Sequence, residues 1–318
     1  MLIQDEQNIR KIGIDWIKTV SMIQEAVNCL HNEDFAQPIK PYLRYGDPKN
    51  RIIAMPAFVG GEINMAGIKW ISSFPENIKK GIPRAHSVMI LNEAETGKPL
   101  GIINTALLSI IRTASVSGLV VKHFAKVRKL SGIKVGITGF GPIGRHHADM
   151  MLALFGDMIS KVYVYDIRGV DDKHVNHDKI EVVDKWQDAY CPADIFITCT
   201  VADQPYIDLK PAEGSLHLNI SLRDYKAETY EWFKDRIIVD DWEEVCRENT
   251  DIERFHIVKG LEKSAVFSIT DVVINSCFAG FEDQQPIMFN PMGMAIFDVA
   301  IASYYHIEER SREVAPVN

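Results

Sequence analysis

Ile133-Lys134-Val135-Gly136-Ile137-Thr138-Gly139-Phe140-Gly141-Pro142-Ile143-Gly144-Arg145-His146-His147 is the stretch whose reading decides the fold. A short apolar run ends at Thr138, and three glycines follow before a helical pattern that continues to about Leu154. Gly-x-Gly-x-x-Gly alone is a weak signal. Its surroundings strengthen it: a strand precedes, a helix follows, and a second strand, Lys161 to Tyr165, ends at an acid. Asp166 lies 22 residues beyond Gly144, close to the ~20 that a dinucleotide-binding turn requires. On this reading Gly139, Gly141, Pro142, Ile143 and Gly144 form a phosphate turn, with the unpaired N–H groups of a helix N-terminus facing the anion. Asp166 accepts from ribose hydroxyls and repels a 2′-phosphate, so NAD is the expected cofactor. Arg168 nearby is the one feature that suits NADP.

Strands at 194–200, 215–220 and 236–240 alternate with helical segments, which predicts a parallel sheet covered on both faces. The expected class is α/β, a Rossmann doubly wound parallel sheet plus a discontinuous α+β domain. The first part of the chain mixes elements. A helix is expected over Ile14 to Leu30, an extended run from Gln37 to Arg44, and β-rich runs at 52–59, 66–71 and 87–91. The longest apolar stretch, Leu100 to Val121, contains Asn104 and Arg112 and reads as a buried helix rather than a membrane span, with the long helix itself expected at about Ala106 to Val127. Pro291 to about His306 reads as helix. Boundaries near 125 and 290 separate residues 1–125 with 291–318 from a cofactor domain of 126–290.

The 318 residues carry a net charge of −8, which disfavours nucleic acid as a partner. Five scattered cysteines have neither disulfide nor zinc-ligand spacing. Together with an N-terminus that lacks a signal-peptide pattern, they point to a cytoplasmic protein without a metal.

Several cations stand where charge is costly. Arg112 lies inside an apolar helix and needs a partner; a structural acid and a substrate carboxylate fit equally. Ser115 is one turn away on the same face. Lys69 sits in the short apolar strand Gly67-Ile68-Lys69-Trp70, Arg44 ends the extended run, and Arg84 follows Pro83 as a further carboxylate clamp. Thr200 and Ser221 follow predicted strands and so suit the nicotinamide side of the crevice. His146 and His147 read as a solvated helix face, His86 and His217 as hydrogen-bonded strand residues, and Asp298 as an acid that caps or pairs within the last helix.

Gly67-Ile68-Lys69-Trp70, Thr96-Gly97-x-Pro99, Arg112-Thr113-Ala114, the glycine turn and Asn290-Pro291-Met292-Gly293-Met294-Ala295-Ile296-x-Asp298 follow in order. In these the chain resembles the ornithine cyclodeaminase/μ-crystallin family over nearly its whole length. Phe35-x-Gln37-Pro38-x-Lys40-Pro41-Tyr42-Leu43-Arg44, Arg51-Ile52-Ile53-Ala54-Met55-Pro56 and Thr198-Cys199-Thr200-Val201-x-Asp203-Gln204-Pro205-Tyr206-Ile207 are similar to its staphyloferrin B branch, which forms 2,3-diaminopropionate. The resemblance implies a homodimer, a substrate-binding and dimerisation domain built from residues 1–125 with 291–318, and oxidative hydrolysis of N-(2-amino-2-carboxyethyl)-L-glutamate with NAD. It implies substrate carboxylates on Arg44, Lys69 and Arg112, cofactor contacts that include Ser115, Thr200 and Ser221, and Asp224 with Lys69 as the catalytic residues. Asp224-Tyr225-Lys226 stands where the cyclodeaminases have an acid before Pro-Gly-Lys, a departure from their pattern.

Overall fold

The computed structural model describes residues 1–314. The elements from the N-terminus are β1 (Leu2–Asp5), α1 (Glu6–Ile12), α2 (Trp16–His31), β2 (Phe35–Ala36), β3 (Tyr42–Leu43), β4 (Arg51–Val59), β5 (Met65–Ser73), β6 (Ala85–Glu93), β7 (Pro99–Asn104) and α3 (Leu107–Val127). There follow β8 (Ile133–Thr138), α4 (Pro142–Phe155), β9 (Ile159–Tyr165), β10 (Ile180–Val182), α5 (Trp186–Tyr190), β11 (Ile195–Thr198), β12 (Leu216–Asn219) and α6 (Tyr230–Phe233). The last are β13 (Ile237–Val239), α7 (Trp242–Val245), α8 (Asp251–Lys259), β14 (Phe267–Ser268), α9 (Ile269–Val273), β15 (Ile287–Asn290) and α10 (Ala295–Val314). Two compact units result, 1–116 with 294–318, and 117–293. The first division thus falls inside α3 at 116, nine residues before 125, and the second three residues beyond 290.

The first unit is a sheet of order β1-β7-β6-β5-β4-β2, with β3 also on β4. All its pairings are antiparallel except β1 with β7. Alternation decides its two faces. Met55, Lys69 and Met89 lie opposite one another and are buried, and α10 packs across β4, β5 and β6. On the other face Pro56, Ile68 and Ile90 are half-buried, and Trp70 is 44% exposed. The 100–121 run does not form one helix. Residues 99–104 are β7, where Ile102 and Ile103 favour extended backbone, and Thr105 Oγ1 then accepts from Leu107 N at 3.0 Å to start α3. Among the described residues α3 alone is long and apolar enough to cross a membrane, and it is 72% buried over its most apolar window, as a core helix is. The last helix starts at Ala295 rather than 291, because Pro291 and the left-handed Gly293 (φ +88°) precede it.

The second unit is an eight-stranded, all-parallel sheet of order β10-β9-β8-β11-β12-β15-β13-β14. From β8 the chain moves outward to β9 and β10, then returns to β11 on the other side of β8. The carboxyl ends of β8 and β11 are therefore the switch point where such sheets bind ligands. Tyr190, Phe196, Tyr225, Phe233, Phe255 and Met288 fill the core beside the sheet.

Candidate functional site

The glycine turn has the geometry its sequence implies. Gly139 is left-handed (φ +85°), and a Cβ there would lie 2.4 Å from Cys199 O. A Cβ on Gly144 would lie 2.1 Å from Gly139 O, so only glycine lets α4 pack against the turn. A Cβ on Gly141 would meet open space. Pro142 occupies the first turn of α4, where its missing N–H costs nothing, which leaves the N–H groups of Ile143 and Gly144 for an anion. Asp166 closes the turn: Oδ2 accepts from Phe140 N at 2.9 Å and Oδ1 from Arg168 N at 3.0 Å. A carboxylate has about four lone-pair sites, so capacity remains for two ribose hydroxyls. A turn that tolerates no Cβ where it packs, space where a pyrophosphate would approach, and spare acceptors on Asp166 all fit a dinucleotide. Arg145 donates to His174 Nδ1 at 2.8 Å rather than facing solvent alone. His147 is fully buried, with Ser117 Oγ at 2.9 Å from Nε2. It is a core residue, not the solvated face expected, and burial lowers its pKa to about 4.

Beside the turn, the carboxyl ends of β8, β11 and β12 carry a network of hydroxyls and acids. Thr138, Thr198 and Asn219 are in register across the three strands. Asp224 is completely buried. Its Oδ1 accepts from Thr200 Oγ1 and its Oδ2 from Ser221 Oγ, while Tyr206 OH donates to Thr138 Oγ1 at 3.1 Å. Burial raises the Asp224 pKa, against hydrogen bonds from Ser221, Thr200, Thr198 and Tyr206 that lower it. The loop bearing Asp224 is clamped from behind. Asp251 Oδ2 accepts from Asp224 N at 3.1 Å, Tyr225 N at 3.3 Å and Asn219 Nδ2 at 2.9 Å, and Asn219 Oδ1 accepts from Leu222 N at 3.1 Å. Leu222 itself is left-handed, at φ +64°. Burial pushes the Asp251 carboxyl up to about 7. Sequence reasoning missed Asn219 and Asp251; Asn219 carried a signal as a polar side chain ending an apolar strand, whereas Asp251 follows a polar run and carried none. His217 is a buried hydrogen-bonded residue, as expected, between Ser215 Oγ and Tyr225 OH.

In the first unit, the partner of Arg112 is Asp298. Arg112 Nε donates to its Oδ1 at 3.0 Å and Lys69 Nζ to its Oδ2 at 2.6 Å, with Ser109 Oγ 3.1 Å from the same ammonium. Asp298 therefore does not cap or pair within its own helix; it bridges β5, α3 and α10. A lone acid in the apolar run Ala295–Ala302 was the same signal that marked Arg112. Burial pushes Lys69 down to about 7, with Asp298 opposing and Arg112 and Lys40 adding to the fall. Burial would raise Asp298, but the two cations outweigh it and hold its carboxyl low. Lys40, also buried, was overlooked. Arg44 is exposed; Nη1 donates to Pro48 O at 3.0 Å, and its guanidinium lies 5.3 Å from the Tyr42 ring centre. Arg51 lies 5.5 Å from the same ring. Ser73 pairs with Arg51 and with Ala85, so Arg44 and Arg84 are at that end of the sheet, roughly 13 Å along β5 from Lys69 at ~3.3 Å per residue. Ser115 is wholly buried in α3 with no hydrogen-bond partner for Oγ. No cluster of metal-ligating residues occurs among the described residues.

The N-((2S)-2-amino-2-carboxyethyl)-L-glutamate dehydrogenase of Staphylococcus aureus is 36% identical over 312 residues, 93% of this chain and 91% of that one. Alanine dehydrogenase of Archaeoglobus fulgidus is 27% identical, covering 99% and 96% of the two chains. Among solved structures, Thermococcus litoralis Δ1-pyrroline-2-carboxylate reductase in complex with NADH and L-proline superposes with a TM-score of 0.86 at 22% identity, over 100% of both chains. That likeness establishes the fold, a Rossmann-like unit joined to a second domain. The model of the ornithine cyclodeaminase/mu-crystallin family matches residues 7–313, and the chain belongs to that family.

Proposed function

We propose that this chain is an NAD-dependent dehydrogenase acting on a secondary amine. Its substrate would be N-(2-amino-2-carboxyethyl)-L-glutamate and its products 2,3-diaminopropionate, 2-oxoglutarate and NADH. The observation that carries the reading is the buried Lys69–Asp298–Arg112 cluster, a pre-charged seat for a carboxylate, in a chain 36% identical to the S. aureus enzyme over nearly its full length. Asp298 makes it affordable to bury two cations, and the guanidinium edge not used on Asp298 is left for a planar carboxylate. That substrate has three carboxylates. Lys69 and Arg112 are assigned to one of them, and Arg44 and Arg84 to another.

NAD would be held by Gly139, Gly141, Pro142, Ile143 and Gly144, with Asp166 on the ribose and Thr200 and Ser221 on the nicotinamide side. When bound it accepts hydride from the glutamyl α-carbon. The chain's own residues would prepare that carbon: the cations fix its carboxylate, and Asp224 is the final acceptor of the amine proton. The imine so produced adds water, and the C–N bond then breaks, releasing the amine of 2,3-diaminopropionate and the ketone of 2-oxoglutarate. We also propose a homodimer formed through the uncovered face of the first sheet, and a cytoplasmic location.

The family, whose description includes ornithine cyclodeaminase, and a 26% identity over 285 residues to a Δ1-pyrroline-2-carboxylate reductase of Bacillus thuringiensis favour a second reading, an imine reductase or cyclodeaminase acting on another amino acid. Product analysis separates the two. The conjugate with NAD should yield 2-oxoglutarate and 2,3-diaminopropionate, while L-proline, L-alanine and L-ornithine are left unchanged. Turnover of one of these and not of the conjugate would favour the second reading.

A further inference from the structure

Asp224 cannot meet a substrate directly, because no part of it is exposed. Of the hydroxyls around its carboxylate, those of Thr200 and Ser221 donate to its two oxygens; both residues are half-buried and follow the carboxyl ends of β11 and β12. They are not equivalent. Thr200 Oγ1 also accepts from Ala202 N at 3.3 Å, which occupies a lone pair. Among the described residues Ser221 Oγ donates to Asp224 and makes no other hydrogen bond, which leaves its lone pairs for a substrate proton. Ser221 is itself fixed in place, its N–H bound to Thr198 O at 3.1 Å. The loop between Ser221 and Asp224 is held by Asn219 and Asp251.

We infer that Ser221 is the group that takes the proton from the reacting amine and Asp224 the acceptor behind it, reached through the serine hydroxyl. Thr200 is then a positioning residue that holds the far oxygen of the carboxylate. The inference rests on the dehydrogenase reading above and adds a proton path to it. As Ser221 Oγ takes a proton from the substrate's secondary ammonium, its own O–H proton passes to Asp224 Oδ2. One N–H bond breaks and one carboxylic O–H bond forms. The hydroxyl ends as it began, the ammonium becomes a neutral amine and the carboxylate a neutral acid. The ionisable groups around Asp224 are Asp251, Tyr206, Tyr225 and Cys199.

Two measurements test this on the full-length protein. The first needs no substrate: the carboxyl carbon of Asp224, labelled with carbon-13 and identified by its loss in Asp224→Asn, is titrated by NMR. Removing a donor to a carboxylate destabilises the charged form, so Ser221→Ala and Thr200→Val should each raise the midpoint, by about one pH unit. Unchanged midpoints in both would overturn the arrangement. The second is kinetic. Wild-type kcat/KM should rise with pH as Asp224 ionises. Ser221→Ala and Asp224→Asn should each lower kcat about a hundredfold and abolish that rise. The double variant should be no slower than either, and Ser221→Thr, which keeps the hydroxyl, should recover most of the rate. Multiplying losses in the double variant, or a pH limb surviving in Ser221→Ala, would remove Ser221 from the path. A wild-type protein inert toward the conjugate that still shows the NMR shifts would keep the proton arrangement and discard the substrate assignment.

Discussion

Asp298 holds two buried cations with one carboxylate, and its charge is what allows both to stay inside the first unit. Asp298→Asn keeps the shape and removes the charge. Breaking a buried pair by taking away one partner costs about 3–5 kcal/mol, so urea denaturation should show a loss of about 3 kcal/mol; a loss under ~1 kcal/mol would mean the cluster is solvated. Asp251 gives a pH-dependent counterpart. Its folded pKa, about 7, stands above the ordinary carboxylate value of 3.8. The folded state therefore holds a proton that the unfolded chain has released between those values, and stability falls as pH rises from about 4 to 7. Compared with Asp251→Asn, which does not titrate, the wild type should lose roughly 2–4 kcal/mol over that window. A stability difference that stays flat between pH 4.5 and 7.5 would contradict the buried, proton-holding state. Lys69 and Arg112 were legible in the sequence because each is a charge within an apolar run. Asp298 carried the same mark, but its partners are 229 and 186 residues away, and no local pattern encodes that pairing.

At the scale of elements, the turn between β8 and α4 separates two kinds of glycine. Gly144 allows packing, since a Cβ there would collide with Gly139 O at 2.1 Å. Gly141 borders open space, so its role concerns what binds. Gly144→Ala should lose thermal stability and NAD affinity together. Gly141→Ala should melt within about 2 °C of wild type while NAD affinity falls at least about tenfold, roughly 1.4 kcal/mol. Equal NAD affinity in Gly141→Ala, measured by calorimetry, would place the pyrophosphate elsewhere. This turn was readable because a strand, three glycines, a helix and an acid stand in one short window. β1 and β2 were not, being four residues or fewer, while β3 lies within the extended run expected from Gln37 to Arg44. β7 was concealed by an apolar run that continues into α3. Short apolar runs do not distinguish strand from buried helix; the partners decide.

For the molecule as a whole, the uncovered face of the first sheet remains. Pro56, Ile68, Trp70 and Ile90 lie on it, and an exposed apolar surface of this kind marks an interaction site. The account predicts a dimer by light scattering and a monomer for Trp70→Glu, a charge in the middle of that face; a monomeric wild type would remove the dimer from the proposal. The α/β class was legible from the alternation of strands and helices, and the second domain from the family resemblance. The domain limits were not, because the chain crosses between units within α3 at 116, and a continuous helix shows no break in periodicity at such a point.

The measurement that bears most directly on the central claim is the yield of NADH from a limiting amount of N-(2-amino-2-carboxyethyl)-L-glutamate, with 2-oxoglutarate counted in the same sample and L-ornithine run in parallel. One NADH and one 2-oxoglutarate per conjugate consumed, with ornithine untouched, is the predicted result. No NADH from the conjugate, with proline and ammonia formed from ornithine, would contradict it.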